Sequence, residues 1–160
     1  MLFYKNKKLM FSKSCEYGLR AIVFIARESL NNRKTDIKGV ARNINSPEAF
    51  TGKILQILSR NKLISSQKGP SGGFWMPLES ISKIKIMDVV VVFDGEAVFK
   101  RCALGLEGCP SETPCPLHDE FKHIRNDLEN LLSSTSIEDL TTKLNSEQYF
   151  LKRIHKETKI

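Results

Sequence analysis

The sequence lacks the features that define several common classes of protein. No apolar run approaches the roughly 20 residues that a membrane-spanning helix needs. We expect no secretory signal, because Lys5, Lys7 and Lys8 interrupt any apolar core near the start. There are only three histidines, no Cys-x-x-Cys pair and no candidate Ser-His-Asp set. We therefore expect neither a membrane protein, nor a secreted disulfide scaffold, nor an enzyme, and we expect a reducing cytoplasmic setting.

Negative charge is scarce in the first half of the chain. Residues 1–80 hold 14 basic and 5 acidic side chains, a net charge of +9, whereas residues 81–160 hold 11 and 13, a net charge of −2. Hydrophobic residues make up 41% of the chain, which is enough for a real core. The basic half is therefore the part that we expect to meet a polyanion.

The first half is typical of three helices that follow a short basic tail. Ser12 or Ser14 can cap a first helix that ends near Leu30. Thr35 or Asp36 can cap a short second helix.

The third helix has a clear start signal. Ser46 is a good N-cap, Pro47 suits the first helical position and Glu48 suits the positive end of the helix dipole. The apolar pattern that follows predicts a helix that ends near Asn61.

A short strand pair follows these helices. Residues 63–67 and 74–76 favour strands, and the glycine-rich residues 68–73 favour a turn between them. Together these elements predict a winged helix-turn-helix, a mainly α fold with a small β-wing. Two alternatives are a three-helix core with a hairpin of no special role and a phosphate-binding loop at 69–73. The second is disfavoured because the loop lacks the Gly-Lys-Ser/Thr ending of a nucleotide P-loop.

A winged helix-turn-helix would present the start of its third helix to base edges in the major groove of DNA. Glycines in the wing would let the backbone approach a phosphate or the minor groove. Residues 34–76 contain seven Lys or Arg against two acidic residues, which suits a phosphate-facing surface. The candidate DNA-binding residues are Ser46, Glu48, Thr51, Lys53, Lys68, Ser71 and Gly72.

The second half contains one clear helix and two ambiguous stretches. The apolar run 84–93 includes four consecutive valines that favour a strand, although Met87 and Asp88 would fit a helix start. Residues 95–114 show no periodicity but hold two of the three clustered cysteines, and the third, Cys115, follows directly. Residues 117–132 form the cleanest amphipathic pattern in the chain and predict a helix.

The clustered cysteines indicate a metal site. Cys102, Cys109 and Cys115 have the pattern Cys-x6-Cys-x5-Cys, and His118 adds Cys-x2-His. Thiolates bind iron or zinc, and glycine-rich spacers would let them converge. A Cys3His zinc site and a metal-free thiol redox sensor are the alternatives to an iron–sulfur cluster. Cys15 is expected to be a packed thiol.

Three motifs resemble the Rrf-type winged helix-turn-helix transcription regulators, the IscR/NsrR-like family of iron–sulfur sensors. They are YGLRA at 17–21, SPE at 46–48 and KGPSGGF at 68–74, and the resemblance runs from about residue 11 to 144. The resemblance implies a homodimer built on the long C-terminal helix at 117–132, and it implies that 86–93 is helical.

The resemblance also implies a [2Fe-2S] or [4Fe-4S] cluster on the three cysteines, with a variable fourth ligand. His118 matches the family's Cys-x2-His position, and Glu16 matches a carboxylate that reaches the cluster of the partner subunit. Otherwise Glu16 would form an ion pair with Arg20 one turn away.

These expectations divide the chain into a basic tail (1–10), a winged helix-turn-helix domain (11–80), a sensor loop with a dimerisation helix (81–144) and a C-terminal tail (145–160). The expected function is that of a dimeric repressor that binds a palindromic operator in double-stranded DNA. Its cluster would sense nitric oxide, redox or iron–sulfur status, and its loop at 95–114 would be the switch.

Overall fold

The computed structural model describes residues 10–107, 110–146 and 148–152. Nearly all of the predicted basic tail, the end of the C-terminal tail and Cys109 lie outside the described residues. The described part contains helices α1 (Lys13–Leu30), α2 (Ile37–Ile44), α3 (Glu48–Arg60), α4 (Leu78–Ile81), α5 (Ile86–Asp94), α6 (Ala97–Lys100), α7 (His118–Ser134) and α8 (Ile137–Asn145), and strands β1 (Ser65–Gln67) and β2 (Gly73–Trp75).

Helix α1 lies at the centre of the molecule. Of the two predicted caps, Ser12 and Ser14, it is the Ser12 hydroxyl that caps the helix, by accepting a hydrogen bond from the backbone N–H of Cys15. Its residues from Ala21 to Ala26 are nearly all inaccessible to solvent, so the helix is buried on more than one face. Helices α2, α3, α5 and α8 all pack against it.

Helices α2 and α3 form the helix-turn-helix. Asp36 caps α2 through the backbone N–H of Gly39 at 2.7 Å. Asn45 ends α2 in the left-handed conformation, with φ at 53°. The chain therefore turns sharply, and α3 packs against both α1 and α2 through Ile54, Leu55 and Leu58.

Strands β1 and β2 pair antiparallel in the register Ser65–Trp75, Ser66–Phe74 and Gln67–Gly73. Thr35 adds a bridge on the other side of β2: its N–H donates to the carbonyl of Phe74, and the N–H of Phe74 donates back. The strand pair is the predicted wing, and the mainly helical winged fold is confirmed.

The valine-rich segment is helical, as the family resemblance implied, and its strand propensity is overridden. The Asp88 carboxylate accepts a hydrogen bond from the backbone N–H of Lys85, which fixes the start of α5. Val89 and Val90 are then fully buried, one in each of two apolar clusters. Burial on both sides of the helix stabilises it against the small intrinsic cost of β-branched residues.

Helices α7 and α8 complete the fold. Ser136 and Asp139 form a capping box at the start of α8. Ile137 of α8 is fully buried in the same cluster as the α1, α2 and α3 side chains. The apolar core is thus continuous from the winged part of the chain to its C-terminal helix. Over the residues that the structure describes, no helix is long and apolar enough to cross a membrane.

Candidate nucleic-acid interface and cysteine site

Helix α3 has one buried and one exposed face. The buried side chains are Thr51, Ile54, Leu55 and Leu58, each at most 1% exposed. The exposed ones are Glu48, Ala49, Lys53, Gln56 and Arg60. The last four recur at steps of 4, 3 and 4, so they form a single stripe along the helix. We call this stripe the reading face.

Thr51 and Ser46 depart from their expected roles. Thr51 is fully buried, in phase with the apolar face, and its hydroxyl donates to the Pro47 carbonyl at 3.0 Å. Thr51 is therefore not exposed for contact with DNA. Ser46 does not cap α3, because the extended Pro47 (ψ 137°) follows it and the helix starts only at Glu48. Its hydroxyl lies too early in the chain to reach the free N–H groups of the first turn.

The remaining predicted residues lie on or beside the surface of the wing and α3. Glu48, Lys53, Lys68 and Ser71 are exposed, and Gly72 is half-buried inside the wing turn. The Gly72 N–H donates to the Gly69 carbonyl at 2.9 Å. A Cβ at Gly72 would lie 2.2 Å from the carbonyl oxygen of Gln67, so the turn requires glycine there.

An open cleft of about 740 Å3 separates the wing from the helix-turn-helix. It is lined by residues from α2, α3 and the wing, among them Lys38, Ala49 and Gly72. The sequence analysis did not include the exposed residues Lys38, Ala49 and Gln56 among the candidate DNA-binding residues. Ala49 and Gln56 could have been found from helical periodicity, because they lie four residues before and three residues after Lys53, opposite the apolar face of α3.

The wing is attached to the helices through Lys34. Its Nζ donates to Oε1 of Gln67 at 2.8 Å and lies 4.5 Å from the centre of the Trp75 ring. A cation above an aromatic face is attracted by the ring quadrupole. Lys34 therefore contacts both strands of the wing.

Two of the three predicted thiol ligands lie side by side. The Sγ atoms of Cys102 and Cys115 are 3.6 Å apart, Cys102 is 8% exposed and Cys115 is half-buried. Two thiolates on one tetrahedral metal with bonds of about 2.3 Å would be about 3.8 Å apart. The pair therefore fits a shared iron or zinc ion both in chemistry and in separation.

The candidate fourth ligands are His118 of the same chain and Glu16 of the partner subunit. Between residues 10 and 152, leaving aside 108, 109 and 147, no three His, Cys, Asp or Glu side chains are placed to hold a metal ion. His118 is 5% exposed, and its backbone N–H donates to the Cys115 carbonyl at 2.9 Å. Glu16 pairs with Lys13 at 2.9 Å and not with Arg20, whose guanidinium donates to the Ile44 carbonyl and covers the Tyr17 ring.

Both cysteines are held against α7. Nη1 of Arg125, a buried residue of α7, donates to the Arg101 carbonyl at 2.7 Å, next to Cys102. The His118 hydrogen bond holds the Cys115 side. Cys102 also lines a cleft of about 630 Å3 between the start of α1, helix α6 and Phe121.

Cys15 is a packed thiol, with no solvent exposure. It belongs to the apolar cluster of Val90, Phe99 and Leu132. Burial, with the nearby Asp94 carboxylate as the next cause, raises the pKa of Cys15 to about 12. The thiol is therefore protonated at neutral pH.

Helix α7 exposes an apolar stripe that nothing in the described chain covers. Leu117 just before the helix, Ile124 and Leu131 are 40%, 59% and 59% exposed, and they are spaced by seven residues. Residues seven apart lie on one side of a helix. The amphipathic pattern of α7 thus includes apolar residues that do not pack within the described part of the chain.

Comparison with known proteins agrees with this architecture. The family Rrf2, described as an iron-dependent transcriptional regulator, matches residues 11–143. A protein of Aquifex aeolicus (strain VF5), named as an HTH-type transcriptional regulator, is 27% identical over 134 residues, which cover 82% of this chain and 91% of that protein. The HTH-type transcriptional regulator IscR of Photorhabdus laumondii is 29% identical over 92 residues, covering 58% of this chain and 55% of that protein.

Solved structures share the fold. CymR, the global cysteine regulator of B. subtilis, has a TM-score of 0.69 and 22% identity, with 84% of this chain and 98% of that chain covered. IscR of T. potens has a TM-score of 0.67 and 18% identity, with 89% and 93% covered. The family match spans most of the chain, and the described helices and wing supply the expected DNA-binding fold. The chain therefore belongs to the Rrf2 family of DNA-binding transcriptional regulators, which are not enzymes.

Proposed function

We propose that the chain is a homodimeric repressor whose affinity for a palindromic operator is controlled by an iron–sulfur cluster. The observation that carries the proposal is the 3.6 Å separation of the Cys102 and Cys115 Sγ atoms beside the helix that would form the dimer. Because its target would be DNA, we propose that it acts in the cytoplasm.

DNA contact would involve the reading face of α3 and the wing. Gln56 can donate to and accept from the edge of an adenine, and Ala49 can contact a thymine methyl group. Lys53 can bind a guanine edge or a phosphate, and Lys68 on the wing can bind a phosphate. Glu48 can accept from a cytosine amino group near the start of the helix.

The homodimer would form through α7. Its stripe of Leu117, Ile124 and Leu131 has the seven-residue spacing with which two helices bury apolar side chains against each other. A two-fold dimer would present two copies of α3 related by that symmetry, which matches the two half-sites of a palindromic operator.

The cluster would be a [2Fe-2S] or [4Fe-4S] group held by Cys102, Cys109 and Cys115. Either His118 or Glu16 of the partner subunit would supply the fourth ligand, as the family resemblance implies. When bound, the cluster would supply iron that reacts with nitric oxide or oxygen or is lost when iron is scarce. Arg125 and the backbone of His118 would keep the ligand-bearing loop on α7, so a change at the ligands would bias the dimer geometry.

Zinc is the second candidate for the same site. The separation of the Cys102 and Cys115 sulfurs fits a tetrahedral zinc ion as well as an iron. A regulator that uses the thiols directly, without metal, is the third possibility.

Anaerobic purification with visible absorbance and analysis of iron, sulfide and zinc tests the proposal. We expect a coloured protein with iron and sulfide. Replacement of Cys102, Cys109 or Cys115 by Ser should each abolish the visible bands, whereas Cys15→Ser is the matched control that keeps them. A colourless protein loaded with zinc would overturn the cluster.

Binding to genomic DNA fragments at several salt concentrations tests the regulator separately. We expect sequence-selective binding that weakens with salt, because Lys and Arg release counterions from the phosphates. Binding without sequence selectivity would contradict the proposed operator, whatever metal the protein carries.

A further inference from the structure

We propose that Cys102 and Cys115 form a reversible intrachain disulfide when the chain carries no metal, with hydrogen peroxide as the oxidant. The inference deepens the proposed function, because it specifies what the same thiols do once a cluster has been lost. It also assigns a specific pair among the four cysteines of the chain.

The geometry of the pair suits disulfide formation. The sulfurs lie 3.6 Å apart, and a disulfide bond of about 2.05 Å requires them to approach by roughly 1.5 Å. The described residues between them, 103–107 and 110–114, are all exposed, so no buried side chain among them opposes this movement. Neither cysteine forms a disulfide in the structure.

The two thiols differ in solvent exposure, which indicates which of them reacts with peroxide first. Cys115 is half-buried and is the more exposed of the pair, so it meets peroxide first. Cys102 is 8% exposed and next to it, and it is placed to resolve the intermediate. Cys15 is fully buried in a different cluster, so it stays reduced.

The chemistry is balanced with one peroxide per chain. The Cys115 thiolate attacks one oxygen of hydrogen peroxide, the O–O bond breaks, and the departing hydroxide takes up a proton to form water. This leaves a sulfenic acid on Cys115. The Cys102 thiolate then attacks that sulfur, the S–O bond breaks, and the leaving hydroxide becomes a second water. The two sulfurs are oxidised, and the two peroxide oxygens are reduced.

The disulfide would hold the loop on α7 in place of the metal. Both ends of the loop already contact α7, through the Arg125 bond to the Arg101 carbonyl and the His118 bond to the Cys115 carbonyl. Ring closure between residues 102 and 115 limits the conformations of the segment. The oxidised, metal-free chain would therefore keep the arrangement of loop and helix that a reduced, metal-free chain can lose.

Peptide mapping of the peroxide-treated apoprotein tests the pair. Trypsin alone leaves all three clustered cysteines on the peptide 102–122, but additional cleavage after Glu107, Glu112 and Glu120 separates them onto 102–107, 108–112 and 113–120. We expect 102–107 linked to 113–120, a mass lower by two hydrogen atoms, and reversal by dithiothreitol. Linkage of 108–112 to either peptide, or oxygen addition without linkage, would overturn the proposal.

Variants in a Cys109→Ser background test the order of reaction. This background cannot assemble the three-thiolate site, so its result is independent of whether the wild-type protein holds a cluster. Adding Cys102→Ser should leave a sulfenic acid on Cys115 that dimedone traps on 113–120. Adding Cys115→Ser should abolish both dimedone labelling and the disulfide. Dimedone labelling of Cys102 in that variant would contradict the proposed order, and absence of a disulfide in the background itself would contradict the pairing.

Discussion

Asp94, the last residue of α5, accepts a hydrogen bond at 2.7 Å from the backbone N–H of Ser12, which lies 82 residues earlier and caps α1. The same carboxylate lies near the buried thiol of Cys15. One side chain thus joins the start of the central helix to the point where the chain enters the cysteine-bearing loop.

Replacement of Asp94 should remove the hydrogen bond to Ser12 and lower the stability of the fold. We expect Asp94→Ala to lower the free energy of unfolding by about 1 kcal/mol, because the Ser12 N–H loses its acceptor. Asp94→Asn retains an acceptor and should cost less. Urea unfolding measures both, and Asp127→Asn, an exposed change on α7, is the matched control. Equal stability of Asp94→Ala and the control would show that the junction contributes nothing.

Cys15 should make the stability of the fold depend on alkaline pH. Its pKa rises from an ordinary value of 9.0 to about 12 on folding, chiefly by burial. Above pH 9 the unfolded chain therefore loses a proton that the native chain keeps, so the free energy of unfolding falls as the pH rises toward 12. The contribution is fully present below pH 9. Urea titrations over this range should show a flatter dependence for Cys15→Ala, and identical slopes would contradict the assignment.

The wing turn should not tolerate a side chain at Gly72. Gly72→Ala places a Cβ 2.2 Å from the Gln67 carbonyl oxygen, so we expect the turn to rearrange and operator affinity to fall at least tenfold. The helical core should melt at nearly the same temperature, because β1 and β2 contribute no fully buried side chain. Ser71→Ala, next to it and exposed, is the control for affinity. Unchanged affinity in Gly72→Ala would remove the wing from the DNA contacts.

Substitutions of Gln56 and Thr51 should affect different properties: the first DNA sequence preference, the second the stability of the fold. Gln56→Ala on the exposed stripe should lose about 1–3 kcal/mol of discrimination at one base pair with unchanged stability. Thr51→Val, at a fully buried position, should lose about 1 kcal/mol of stability with unchanged sequence preference, because only its bond to the Pro47 carbonyl is removed. Selection of binding sites from random DNA, together with thermal unfolding, measures both. A changed DNA sequence preference in Thr51→Val would show that Thr51 takes part in DNA recognition.

The stripe on α7 should determine the oligomeric state. A charge at the 59%-exposed Ile124 or Leu131 would be buried between two chains, so Ile124→Glu or Leu131→Glu should yield monomers. Light scattering across a range of concentrations gives the mass. Lys122→Glu, an exposed change on the same helix, should remain a dimer. A dimer in both stripe variants would place the interface elsewhere.

Local patterns allowed much of the fold to be predicted. The caps at Ser12 and Asp36 act within three residues of their partners, so the local sequence narrowed each of these helix starts to one of two residues. The cap predicted at Ser46 was wrong, because the backbone of Pro47 is extended and delays the helix by one residue.

Long-range relationships could not be predicted from local patterns. Four consecutive valines favour a strand locally, and only burial in clusters formed by distant elements makes α5 a helix. The Asp94–Ser12 bond spans 82 residues and leaves no periodic signal.

Helix α1 is attached to other parts of the fold at both of its ends. At its start, Ser12 is bonded to Asp94 beside the cysteine loop, and near its end the Ser29 hydroxyl accepts a hydrogen bond from the N–H of Met76, just after β2. These attachments are about 26 Å apart along the helix axis. A tilt of about 5° at the loop end would displace the wing end by about 2 Å, a shift of the size that separates the states of known switches. A small rearrangement at the cysteines would thus shift the wing relative to the DNA backbone.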